Sequence, residues 1–248
     1  MKKLVLIVFL MSLGGCASQD KLSRGQESNV RESARIHTEL GAGYFAQRNI
    51  PVALEEFTEA TQIDPTYPMA YTGLGLVYAS LNEDAKAEAN FKKALQLDPG
   101  SSESHNNYGT FLCSRDRIDE SITQFLEAVK NPLYPTPEVA YLNAGVCALK
   151  KKDVANAELY LRKALQIQPL LHAAAYQLAS IQYGKGDYEQ TRNVLQYALA
   201  NSPSPEVLWL AIRTERKLGG KDAEASYALE LRRKYPDSNE ARELLAGK

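Results

Sequence analysis

The sequence predicts an all-α protein made of paired helices in a repeating array, and three observations lead there. The 248 residues exceed what one compact core usually serves, so two domains or one extended array is expected. Only 11 prolines and 15 glycines punctuate the chain, while 14 tyrosines stand against one tryptophan, a composition suited to helices meeting through aromatic contacts. Above all, one pattern recurs at a fixed offset of 34 residues. Leu40-Gly41, Tyr44, Ala53, Phe57, Ala60 and Pro65 are matched by Leu74-Gly75, Tyr78, Ala87, Phe91, Ala94 and Pro99.

Further copies follow. A third has Tyr108-Gly109, Leu112, Ser121, Phe125 and Ala128; a fourth has Ala144-Gly145, Ala148, Ala157, Leu161, Ala164 and Pro169. A fifth keeps Leu178-Ala179, Ala198 and Pro203, and a degenerate sixth reads Trp209, Ile212, Ala225 and Leu229. This pattern resembles the tetratricopeptide repeat. The resemblance implies an all-α superhelix, an alpha solenoid, of about six helix-turn-helix repeats near 34–67, 68–101, 102–137, 138–171, 172–205 and 206–237. A C-terminal capping helix over 238–248 completes it. Gly41, Gly75, Gly109 and Gly145 would make room at helix crossings. Phe57, Phe91, Phe125 and Leu161 would fill the gap between a repeat and its successor. Prolines at 65, 99, 169 and 203 stop the second helices. The spacing widens to 36 once, at Asn131-Pro132-Leu133-Tyr134-Pro135-Thr136-Pro137, where three prolines lengthen the turn.

The N-terminus reads as an address. Lys2 and Lys3 precede an apolar stretch from Leu4 to Leu13, too short to span a bilayer, which needs about 20 residues. Residues 1–15 are therefore expected to be a signal peptide. Leu13-Gly14-Gly15-Cys16 resembles a bacterial lipobox, implying cleavage before Cys16 and acylation of that residue; an ordinary cleaved signal with a chance cysteine is the alternative. Several acyl chains anchor stably where one does not. Ala17 stands where an aspartate commonly marks inner-membrane retention among bacterial lipoproteins, which favours an outer-membrane address facing the periplasm. The polar residues 16–33 are expected to be a flexible tether.

The net charge of −1, about −3 without Lys2 and Lys3, offers no basic face for phosphates, so no nucleic acid is expected as a partner. Catalytic motifs are missing from the sequence, and no cofactor, metal or small-molecule substrate is expected. His37, His105 and His172 lack metal-ligand spacing, and the first two occupy the place of Tyr71 and Tyr141 in other copies, which packing explains. Cys113 and Cys147 fall on neighbouring first helices. An even pair in an oxidising compartment favours a disulfide, worth about 3–4 kcal/mol for a loop of that length; two separate buried thiols are the alternative.

In tetratricopeptide repeats the concave face is lined by first-helix positions 2, 5, 9, 12 and 13. Carried over, these are Arg35, Thr38, Ala42, Phe45 and Ala46; Met69, Thr72, Leu76, Ala79 and Ser80; and Val139, Leu142, Val146, Leu149 and Lys150. The lysine–asparagine clamp of chaperone-binding members is missing, and the groove is largely apolar, which suits an amphipathic helix or an extended apolar peptide. The lipobox, the repeats and the strings Asn106-Asn107-Tyr108-Gly109-Thr110-Phe111-Leu112-Cys113, Leu133-Tyr134-Pro135 and Leu231 to Pro236 together look like the PilF/PilW lipoproteins of type IV pilus biogenesis. That resemblance implies a monomeric, pilotin-like scaffold that binds the pilus secretin and promotes its localisation or multimerisation. Thr38, Ala42, Phe45, Met69, Thr72 and Leu76 would form the partner groove, with Phe45, Met69 and Leu76 the residues to test. An adaptor for another envelope machine, such as cell-wall synthesis, is the second reading, and an enzyme with a cryptic site the third.

Overall fold

A computed structural model describes the backbone of residues 16–200 and 203–247, and the side chains from Glu27 within those limits. The signal peptide expected over 1–15 lies outside the described residues. The described chain is helical throughout, in the order α1 (Cys16–Ala46), α2 (Ile50–Ile63), α3 (Pro68–Ser80), α4 (Asp84–Leu97), α5 (Ser102–Ser114), α6 (Ile118–Ala128), α7 (Pro137–Lys150), α8 (Val154–Ile167), α9 (His172–Lys185), α10 (Tyr188–Leu199), α11 (Pro205–Leu218), α12 (Lys221–Lys234) and α13 (Asn239–Leu245). Two compact units divide at a repeat boundary: the first ends at Pro99 with α4, and the second runs from Gly100 to the C-terminus. Within each, odd and even helices pair as hairpins: α1 with α2 and α3 with α4, then α5 with α6 through α11 with α12.

Helix starts follow local chemistry. Pro68, Pro137 and Pro205 open α3, α7 and α11, where a missing N–H costs nothing. The side chains of Ser101, Asp153, Asp187 and Ser238 accept from a backbone N–H of the first turn. Each hairpin turns through one left-handed residue: Arg48, Asn82, Asp116, Lys152 and Gly186, at φ of 58–81°. Their spacing is the repeat spacing, including the extra two residues before Lys152. The next N–H then reaches back to close the first helix, as from Asn49 to Tyr44 O and from Asp187 to Gln182 O, at 2.9 and 3.0 Å.

Repeat six departs from this register. Its left-handed residue is Gly219, one position early, and Gly220 N–H closes onto Glu215 O. Every face of α12 is therefore displaced by one residue. Leu229, aligned by sequence with the buried Phe57 and Phe91, is 62% exposed, and Ala225 is exposed, while Ala228 and Leu231 turn inward. The expected core pair Ala225/Leu229 is thus replaced by Ala228/Leu231, because a shorter turn rotates the helix by about 100°. α13 packs on α11 and α12 through Ala241, in a cluster with Trp209, Ile212 and Leu231.

The interior is built from small–large pairs. A Cβ placed on Gly41 would lie 2.9 Å from the Phe57 ring, on Gly75 or Gly109 2.8 Å from Phe91 or Phe125, and on Gly145 2.8 Å from Leu161. Each large side chain thus sits over the glycine of its own hairpin, not only in the gap to the next repeat. Phe57 does both, since it also fills the space over Gly73 on α3.

The tether expected over 16–33 is helical in the structure, continuous with α1. This stretch has one glycine and no proline, and it extends a helix already anchored by packing, so no separate nucleation is needed. Glu32 and Glu39 flank Arg35 at i−3 and i+4 and ion-pair with it, which supports the exposed helix locally.

Candidate functional site

In the first unit the first helices α1 and α3 lie side by side. Ala42 is exposed on α1, and Phe45 is half-buried against the Phe57–Leu74–Val77 cluster. Met69 and Leu76 on α3 are half-buried. These four leave apolar surface open to a partner. Thr38 and Thr72 do not: both are buried, and their hydroxyls donate to Ala34 O at 2.8 Å and Pro68 O at 3.4 Å. A threonine that satisfies its hydroxyl on its own helix can serve as a small packing residue where two helices meet. The two threonines therefore belong to the helix interface and not to the groove.

In the second unit the structure brings Cys113 and Cys147 together, with Cα atoms 5.9 Å apart and the sulfurs at bonding distance. Ser121 donates its hydroxyl to Cys147 Sγ at 2.9 Å, within a cluster of Ile118, Phe125 and Ala144. Above the pair lies a cleft of about 210 Å³ lined by Thr110, Asn143, Val146 and Lys150. Lys150 Nζ donates to Cys113 O at 3.0 Å, and Asn143 donates to the Asn106 side chain at 3.1 Å. A larger cleft of about 690 Å³ opens between α10, α11 and α12, where repeat six is out of register. Glu215 is buried at its wall and bridged twice by Arg192, at 2.6 and 2.9 Å.

Titratable groups serve the packing. His37 Nδ1 meets Glu56 at 2.7 Å and His105 Nδ1 meets Gln124 at 2.7 Å, equivalent positions in repeats one and three that tie first to second helix. Glu158 on α8 is the most perturbed carboxylate. Lys185 and Arg162, with a hydrogen bond from Gln182 at 2.8 Å, hold its pKa down to about 2. The contacts to Gln182 and Lys185 pin α8 to α9. Among the described residues no cluster of side chains could hold a metal ion, and no helix is long and apolar enough to cross a membrane.

The sequence reading missed one surface. Ile36 and Leu40 on α1 are each 45% exposed, although their counterparts in later repeats are core residues. The signal was available: residues 1–33 carry no copy of the repeat pattern that could supply a covering second helix for Leu40.

Comparison with known proteins agrees with this architecture. The tetratricopeptide-repeat family pattern matches residues 68–101, 90–123, 113–171 and 176–239. The type IV pilus assembly protein PilF of Pseudomonas aeruginosa is 30% identical over 98% of both chains. The crystal structure of PilW, a widely conserved type IV pilus biogenesis factor, superposes with a TM-score of 0.73 over 86% of this chain and 98% of that one, at 30% identity. A structure of Pseudomonas aeruginosa PilF gives a TM-score of 0.78 over 89% and 100%, also at 30% identity. A likeness that spans both chains from end to end, in sequence and in helix placement, carries the family with it: this chain belongs to the PilF/PilW family of type IV pilus assembly proteins, non-enzymatic scaffolds built from tetratricopeptide repeats.

Proposed function

We propose that the chain is an outer-membrane lipoprotein, anchored at Cys16 and facing the periplasm, that binds the type IV pilus secretin and promotes its localisation and multimerisation. The observation that carries the reading is the match to a type IV pilus assembly protein over 98% of both chains. The apolar patch of Ala42, Phe45, Met69 and Leu76 supports a protein partner in the first unit. The continuous helix from Cys16 would act as a spacer of about 27 Å between lipid and first repeat, at 1.5 Å per residue. A partner held by the first repeats would then be carried to the membrane by the anchor.

The test is made in cells that assemble the pilus, with the full chain. Leu76→Glu puts a charge in the patch and should reduce denaturant-resistant secretin multimers at unchanged chain level. Normal multimer levels with a folded variant would remove the patch from the reading. Cys16→Ala should release the chain from the outer-membrane fraction while the repeats stay folded; retention there would sink the lipid anchor.

A further inference from the structure

Antiparallel helix hairpins put their own turns on one edge of an array and the turns between repeats on the opposite edge. In the second unit the two edges differ in charge. The hairpin edge carries Arg115-Asp116-Arg117 after α5 and Lys150-Lys151-Lys152-Asp153 at the end of α7. It continues with Lys185 and Asp187 around Gly186, and with Lys217, Lys221 and Asp222 around Gly219. The opposite edge is made of the segments between α6 and α7, α8 and α9, and α10 and α11. None of residues 131–137, 164–184 and 193–205 is Asp, Glu, Lys or Arg, in a chain that is 24% charged. The charges nearest to them are paired or covered: Lys130 with Glu127, Arg162 with Glu158, and Glu138 buried.

Apolar side chains stand out on this uncharged edge. Leu133 is 86% exposed, Leu170 54%, Ile167 47% and Tyr197 46%. Pro169 and Tyr197 line one shallow cleft with Leu165 and Val194, so the turn after α8 adjoins the end of α10. Leu133 is held out by its turn. Its N–H donates to Asn131 Oδ1 at 2.9 Å, the Tyr134 N–H donates to Asn131 O at 3.1 Å, and Pro132 and Pro135 fix the backbone on either side. A leucine displayed by so constrained a turn gives up little freedom when something covers it.

We infer that the uncharged edge of the second unit, at Leu133, Ile167, Leu170 and Tyr197, rests in the interfacial layer of a lipid bilayer. Its side chains project from successive turns, which suits a flat and deformable surface. The edge has no charge to desolvate on entry and none for a protein partner to match. Leucine, isoleucine and tyrosine are residues that settle at the boundary of headgroups and acyl chains. A second copy of this chain fits less well, because separate turn tips do not make the roughly 800 Å² of fitted surface per partner that a stable dimer needs. The inference draws on the anchor at Cys16 only for its role in the cell: an anchored chain stays beside the bilayer, where a weak second contact is enough. It leaves the Leu76 patch of the first unit free for a protein.

The probe is vesicles of phosphatidylcholine and phosphatidylethanolamine, with and without phosphatidylglycerol, mixed with the mature chain carrying Cys16→Ser, which bears no acyl group. Co-sedimentation should show half-binding at roughly 0.1–1 mM lipid, the range of a single acyl chain. Neither phosphatidylglycerol nor salt should change it, because no charge is engaged. Leu133→Asp and Leu170→Asp should each bind at least tenfold more weakly, with the parent's circular dichroism and Tm, since both sites are exposed. Leu40→Glu and Leu76→Glu should bind as the parent does. A polarity-sensitive fluorophore on Leu170→Cys should shift to the blue with vesicles, and one on Lys152→Cys, at the hairpin edge, should not. No binding to zwitterionic vesicles, or binding that needs phosphatidylglycerol and fades with salt, would overturn the proposal. So would binding that Leu133→Asp and Leu170→Asp leave intact, or that Leu40→Glu abolishes. The anchor reading fails separately, by the fractionation of Cys16→Ala in cells.

Discussion

The small–large pairing makes a prediction in which the same substitution has opposite signs at different glycines. At Gly109 an added methyl would lie 2.8 Å from the Phe125 ring and 3.1 Å from the backbone carbonyl of Ser121. Ordinary carbon contacts begin near 3.5 Å, so ring or helix must give by about 0.7 Å. Overpacking of that kind costs about 1–3 kcal/mol, offset in part by about 0.8 kcal/mol of better helix propensity for alanine. Gly109→Ala should therefore destabilise the chain by about 1–2 kcal/mol. In a chain of this size that lowers Tm by roughly 3–6 °C. Gly43→Ala meets nothing within 4 Å, so only the propensity gain acts, and Tm should rise by about 2 °C. Thermal melts followed by circular dichroism at 222 nm, on oxidised protein, read both. The companion variant Gly109→Ala/Phe125→Leu copies the Ala179–Leu195 pair at the same positions of repeat five, which share one buried cluster, and should recover part of the loss. A rise in Tm for Gly109→Ala would refute the close approach of the two helices as the reason for glycine.

Other consequences follow from the same contacts. Because the folded pKa of Glu158, about 2, lies below its usual 4.5, its ion pairs stabilise the chain above pH 4.5. That stability is lost as pH falls toward 2; Glu158→Gln should flatten this part of the stability–pH curve, an effect of up to about 3 kcal/mol. The Cys113–Cys147 bond is tested by thiol labelling of denatured protein without reductant, where neither should react. Cys113→Ala/Cys147→Ala should then cost about 3–4 kcal/mol in a urea melt. Gly186→Ala introduces a side chain at φ 81° in open space, so backbone strain alone acts, and a loss of about 1–2 kcal/mol is expected.

The hairpins were legible in the sequence because their cause is local. Gly41, Gly75 and Gly109 recur with their aromatic partners 16 residues on, and Pro65, Pro99 and Pro169 stand two residues past the ends of α2, α4 and α8. His37 and His105 were legible for the same reason, as occupants of a repeated packing position. Thr38 and Thr72 misled because groove-lining positions were taken from a general pattern, and nothing in a threonine's identity says whether its hydroxyl faces a partner or its own helix. The sixth repeat misled because one residue fewer in a turn leaves composition almost unchanged but rotates everything after it. The stretch after Cys16 reads as polar linker, yet a polar sequence of good helix formers continues a helix once packing has nucleated it.

By itself the sequence determined the all-α class, the 34-residue hairpin and its one interruption, because these rest on residue size and backbone preference repeated along the chain. Tertiary structure decided which copies of a position are covered. Leu40 and Leu74 have the same side chain at the same place in the repeat, and one is core while the other is surface. The difference is a neighbour, and burial depends on that neighbour's presence rather than on the residue that is buried.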